Sequence, residues 1–503
     1  MIKKEKSAHI KMGEGFKKIS ANYTNRASAV FPLYLRAECD VRIVFLNYWE
    51  IKNSLKGSVV NFWIYNEAGE MVARETFPVE AEHNDFSMNR LLRGHDFDGM
   101  VNVEIVNTGN LVFPFPAITA FYQSGDNISG VHSAGRVKNA EEPRFVSELV
   151  ETNWSCKWKK DITPFFAAFN GQQRDFIQQI EVKVFSPKRE VLMEKNFDPQ
   201  LAGAFANKVF YLDEIFDYDP DSVPNDSYVE VRLPTCDAFP RMVVGNFHRR
   251  SNFHEVTHSF AHQYNEDYLE ATPDSDKGVM IPSINPVATN DELSLNLVFF
   301  PTNCKGIARG GWRRGKPGET VQPADERFEL NCGGEGSVLV NYAIAAGDQI
   351  AALDIDSGSI PTRINTNYVY KVAAADSDFS SDIAAGQIVK YFPPKMVTWG
   401  HGVVGKGYKT ILFMTAFAHD DETRLASDGA LTVYLANGKS YSKQYSIGLD
   451  SGILINVNEL IGDDLQDDLQ TLSWYYLQQK RTKLVAYWIS YAEDGRVTGD
   501  HAF

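Results

Sequence analysis

Paired cysteines, long apolar runs and clustered positive charge are what this 503-residue sequence has least of. Its five cysteines, Cys39, Cys156, Cys236, Cys304 and Cys332, are odd in number and contain no C-x-x-C pair. That excludes a paired-cysteine zinc site and leads us to expect reduced, buried thiols. No run of about 18 apolar residues occurs, so no membrane-spanning helix is expected. The start, Met1-Ile2-Lys3-Lys4-Glu5-Lys6, leads into polar residues instead of the apolar core of a secretory signal. The expectation is a soluble chain, cytoplasmic or exported without a Sec signal. A net charge of −15 disfavours nucleic acid and anionic membrane as main partners, because both require clustered Lys and Arg. G-x-S-x-G, G-x-G-x-x-G and P-loop spacings are missing too, which leaves any cofactor unknown.

What the sequence does have is repetition. At a constant offset of 369 residues Tyr65 matches Tyr434, Gly69 matches Gly438, Asn89 matches Asn458, Tyr122 matches Tyr491, Gly130 matches Gly499 and His132 matches His501. An offset of 126 matches Phe121 with Phe247 and His132-Ser133 with His258-Ser259. Dividing 369 by three gives repeats of about 123 residues, an ordinary domain size, and four fit the length. Runs such as Val41-Arg42-Ile43-Val44-Phe45-Leu46 and Val59-Val60-Asn61-Phe62-Trp63-Ile64-Tyr65 are β-branched and aromatic, and turn residues such as Asn66-Glu67-Ala68-Gly69 and Ala436-Asn437-Gly438-Lys439 follow them. The fold expected is all-β: tandem repeats of antiparallel β-sandwich, jelly-roll-like domains. A polar arm over 1–19 precedes units at 20–138, 139–268, 269–379 and 380–503, the third being the divergent one. Stacked units of this kind suit an extended surface or a ring.

Several residues invite a chemical reading. His254-Glu255-Val256-Thr257-His258 matches H-E-x-x-H, which on a helix would hold zinc through His254 and His258 with Glu255 beside the bound water. That makes a zinc-dependent hydrolase the rival reading. The settings of His132 and His501 are glycine-rich turns, so a helix at His258 is not the expectation. The recurring His132, His258 and His501 could each give one ligand to a shared metal or glycan site. The preferred reading is structural: each ring ties the end of a last strand to a neighbouring backbone. Asn89, Asp213 and Asn458 are read as caps of short helices or turns. In the divergent unit Arg309, Trp312, Arg313, Arg314 and Lys316 are gathered among glycines, which suggests a loop able to bind an anion by guanidinium forks and indole stacking. Trp49, Trp63, Trp154, Trp158, Trp474 and Tyr475 are candidates for sugar stacking or for core. The expected function is non-catalytic binding or assembly. Candidate partners are a glycan, an acidic protein surface or further copies of the chain.

Overall fold

The computed structural model describes residues 25–107, 117–132, 135–137, 147–152, 154–172, 176–177, 179–235, 238–239, 241–261, 268–270, 283–301, 306–333, 337–361, 365–385, 394–417 and 425–503. The expected arm over 1–19 lies outside them. The first unit has eight strands, β1 (Asn25–Leu35), β2 (Cys39–Leu46), β3 (Val59–Asn66), β4 (Met71–Pro78), β5 (His83–Ser87), β6 (Phe97–Asn107), β7 (Ile118–Ser124) and β8 (Asn127–His132). They form two antiparallel sheets, β1-β6-β3-β4 and β5-β2-β7-β8. Alternation explains the layering: Val60, Phe62 and Ile64 of β3 and Val101, Val103 and Ile105 of β6 turn inward against Val41, Ile43 and Phe45 of β2. The next strand, β4, is almost wholly exposed, as are its counterparts Val191–Phe197 and Ser440–Ile447.

The same strand order recurs three more times. In the fourth unit Lys395–Val404, Gln470–Thr482, Ser427–Leu435 and Ser440–Ile447 make one sheet, and Ser451–Asn456, Lys409–Ala416, Leu484–Tyr491 and Val497–His501 the other. The second unit repeats it, ending in Phe253–His258, and so does the third, ending in Ser381–Ala384. The all-β tandem-sandwich expectation therefore holds. Because Ser381–Ala384 pairs with Thr366–Val372, the third unit runs past residue 379, and the expected boundary there is too early. Asn89, Asp213 and Asn458 sit in matching one-turn helices, Met88–Leu91, Leu212–Ile215 and Val457–Ile461. Asn89 and Asn458 do not cap those helices. Their side-chain amides donate to carbonyls around the hairpin turn of the neighbouring strand, Asn89 to Arg36 and Cys39, Asn458 to Tyr408.

The four units close into a ring. The first meets the second where Ser124 Oγ donates to the Ser251 carbonyl and Tyr65 stacks on Phe205. The second meets the third where Ser155 N–H donates to Asp382 and Arg189 to Ser337. Between the third and fourth, Lys409 pairs with Glu292 and Val321 N–H donates to the Asp450 carbonyl. The fourth returns to the first: Arg496 donates to the Asp126 carbonyl, and His83 meets Ser473. At the centre the closing strand of each unit packs on those of its two neighbours, Asn127–His132 on Phe253–His258, that strand on Ser381–Ala384, and Val497–His501 completing the circuit.

Candidate functional site

The closing strands bring the three recurrent histidines to one point. Opposite His132, His258 and His501 stand Thr119, Val243 and Tyr487, and at the corresponding register of the third unit Asn367 faces Ala384. Three of the four strands around the axis thus give an imidazole and the fourth a methyl group. One nitrogen from each ring lies within 4.8 Å of the other two, the one such cluster among the described residues with metal-ligand potential. Ring centroids are 4.6 Å apart for His132 and His258 and 4.3 Å apart for His132 and His501.

Every Nδ1 has a hydrogen-bond partner. His132 Nδ1 lies 2.8 Å from Asp500 Oδ2, His258 Nδ1 2.9 Å from its neighbour's carbonyl at Ser259, and His501 Nδ1 3.2 Å from the Ala502 carbonyl. A carbonyl can only accept, so Nδ1 carries the proton in His258 and His501 and Nε2 is left as a lone pair. The buried Nε2 of His258 has no hydrogen-bond partner. Burial, then Arg241 and the neighbouring rings, holds His258 well below the usual imidazole range. His501 is held at about 4 by burial and then His132. For Asp500 burial acts upward and is the largest single influence, but His132 and His501 together outweigh it and the carboxyl stays low. In His258 and His501 the ring meets the carbonyl of the next residue in the chain, and the convergence of all three rings is not part of the expected structural role.

The zinc-hydrolase reading is overturned. Phe253–His258 is a strand, where four residues span about 13 Å, too far for His254 and His258 to share an ion. His254 is packed among rings instead, stacked on Phe247 at 4.4 Å and bonded to the Tyr211 hydroxyl at 3.0 Å. Glu255 is used up by Lys157 at 2.6 and 2.7 Å, His248 at 3.1 Å and the Ser380 hydroxyl at 2.8 Å.

The Arg-Trp loop is likewise not a loop. Gly306–Gly315 is an inner strand, and Trp312 is buried against Tyr342. Arg309 pairs with the cross-strand Glu329, Arg313 with Asp354, and Arg314 with Glu326 while covering the Trp312 ring. Lys316 is exposed at the turn that follows. The three arginines read as part of an anion site thus already hold carboxylates of their own chain. Trp49, Trp154 and Trp474 are core.

A cleft of about 820 Å³ escaped the sequence reading apart from Tyr475. It lies where the helix Tyr48–Asn53 of the first unit overhangs the outer face of a sheet of the fourth. Alternation puts Lys395, Val397 and Trp399, then Thr432 and Tyr434, then Tyr475 and Leu477 on that face. Lys52 Nζ lies 5.8 Å above the Trp399 ring. Burial and then Lys52 bring Lys395 down to about 8, and burial and then Arg481 lower Lys52. Among the described residues no acidic side chain lines the cleft, and none of these three cations has a carboxylate partner. No local motif announces it, since its walls come from five separated stretches.

No family model and no curated protein matches the chain. A solved structure described as "Crystal structure of tetra-tandem repeat in extending region of large adhesion protein" aligns at 10% identity over 95% of this chain and 98% of that one, with a TM-score of 0.11. A likeness that weak bears on neither the arrangement nor the role of this chain.

Proposed function

We propose that this chain is a non-catalytic β-sandwich ring that binds an acidic glycan in the cleft between its first and fourth units. The observation that carries the reading is the lining of that cleft: the half-buried ring of Tyr434 and the largely buried rings of Trp399 and Tyr475 stand beside Lys52, Lys395 and Arg481, whose positive charge no carboxylate among the described lining residues neutralises. Sugar rings stack on aromatic faces, and uronate or sialate carboxylates take charge-assisted hydrogen bonds from Lys and Arg. About 820 Å³ is of the size that encloses small ligands, and a concave trough of this kind suits a short oligosaccharide better than a broad protein surface. Mutual repulsion among the three cations supports the same reading, because an anion would relieve it.

The test is titration of uronate- and sialate-containing oligosaccharides into wild type, Trp399→Ala and Lys52→Ala/Arg481→Ala. Each charge-assisted bond contributes about 1.5–3 kcal/mol where desolvated, so the double variant should weaken binding on the order of 100-fold or more. Neutral analogues should bind more weakly than acidic ones. Absence of oligosaccharide binding, or binding indifferent to all three substitutions in folded protein, would defeat the proposal. Capture of an acidic protein domain through the same residues, with no glycan bound, would replace it with a protein-docking role.

A further inference from the structure

We infer that His132, His258 and His501 form a three-imidazole site for a divalent transition metal, with Zn²⁺ the cation it fits best, on the central axis of the ring. Zinc takes neutral imidazole nitrogens at about 2.0–2.1 Å, which in a tetrahedral site puts the nitrogens about 3.4 Å from one another. The three ring nitrogens already lie within 4.8 Å of each other, so closing on an ion needs movements of an ångström or less per ring. Hydrogen bonding on the far side of each ring favours this use. Imidazoles that bind metals nearly always donate the other N–H to a carboxylate or a backbone carbonyl, which fixes the tautomer and the ring plane. Here Asp500, the Ser259 carbonyl and the Ala502 carbonyl occupy those places.

An independent sign is the buried Nε2 of His258, which has no hydrogen-bond partner although such an atom costs stability when left unsatisfied. A metal ion on the axis satisfies it. The Asp500 carboxyl, buried 2.8 Å from His132 Nδ1, stands where it can offset part of the ion's charge. Softness selects the class: an all-nitrogen site suits Zn²⁺, Ni²⁺, Cu²⁺ or Co²⁺ and repels Mg²⁺ and Ca²⁺, which want oxygen. The fourth side of the axis carries Ala384, which supplies no donor, so the fourth ligand would be water or a small anion. Since the ligands come from the first, second and fourth units, the ion would clasp three units together. Asp500 is a positioning residue in this scheme and the three histidines are the ligands.

The experiment strips the full chain with chelator, reloads it with Zn²⁺ alone, dialyses it and counts metal by elemental analysis, with Co²⁺ as a spectroscopic substitute. We expect one Zn²⁺ per chain, intense visible bands of tetrahedral Co²⁺, and a thermal unfolding midpoint raised by Zn²⁺. In His258→Ala all three should vanish, whereas His95→Ala, which removes an exposed imidazole, should leave them intact. Asp500→Asn keeps an acceptor for the His132 N–H, and should weaken affinity about 10–100-fold without abolishing the site. This variant decides the matter should His258→Ala fail to fold. Less than stoichiometric Zn²⁺ in wild type would overturn the inference. So would uptake unchanged in both His258→Ala and Asp500→Asn, since that marks adventitious binding at the surface.

Discussion

Glu255 shows how one residue can satisfy a motif and still have a different role. In H-E-x-x-H it would stand next to a metal-bound water; here it is buried at the junction of the second and third units, with partners on both oxygens. Burial alone would raise its carboxyl, but Lys157 and His248 outweigh that and hold it at about 2. Breaking such a pair leaves an uncompensated buried charge, whereas replacing both partners by apolar groups does not. Glu255→Ala should therefore cost about 3–5 kcal/mol, and Glu255→Leu with Lys157→Met should recover much of it. Urea unfolding midpoints of the two variants check this. A single-variant cost below about 1 kcal/mol would mean that Lys157 finds another partner and that the pair does not hold the junction.

At the scale of the element, the closing strands carry the argument. A Cβ on Gly499 would stand 2.5 Å from the Trp488 carbonyl oxygen and 3.2 Å from Ser381 Oγ of the third unit. On its counterpart Gly130 a Cβ would meet the Phe121 ring at 2.8 Å and Trp488 at 3.3 Å. Backbone cannot rotate aside as a side chain can, so Gly499→Ala should be the costlier change, within the range of about 1–3 kcal/mol typical of overpacking. Thermal unfolding of the two variants tests the order, and a neutral Gly499→Ala would contradict it. These two glycines were legible in the sequence because four copies of one topology keep their spacing, and Asn89 with Asn458 and the three histidines were legible for the same reason. The strand at Gly306–Gly315 was not, because glycine and arginine disfavour strands locally. What makes it one is non-local: Gly310 lets the Asp354 carbonyl approach, and Arg309 meets Glu329 across the sheet. Nor could periodicity reveal that Phe253–His258 is a strand, because the ring buries all six of its residues.

For the whole molecule, the packing of four units around an axis leaves an unusual number of imidazoles in the dry junctions. His83 and His401 both reach the Ser473 hydroxyl, at 2.8 and 3.0 Å, where the first and fourth units meet. Burial brings His83 to about 4 and His401 and His254 to about 3, and His258 and His501 are lowered as well. An unfolded histidine takes up a proton near pH 6.5, whereas these folded ones do not until the pH is far lower. Below pH 6.5 the unfolded chain therefore binds more protons, and stability falls as pH falls. Each such group costs up to about 1.4 kcal/mol per pH unit between its two pKa values, and the five act in the same direction. Asp382 opposes them: burial raises it to about 7, so between its unfolded value and pH 7 the folded state binds the extra proton, but one carboxyl offsets only one imidazole. In chelator, the urea midpoint should thus fall steeply from pH 6.5 toward pH 4, well before ordinary carboxylate titration. His83→Asn should reduce that slope by about one proton, read from the same pH series. A midpoint flat between pH 6 and 4 would mean that the junctions admit water and protons in the folded state. The ring would then be held by its sandwiches singly and not by the dry contacts between them.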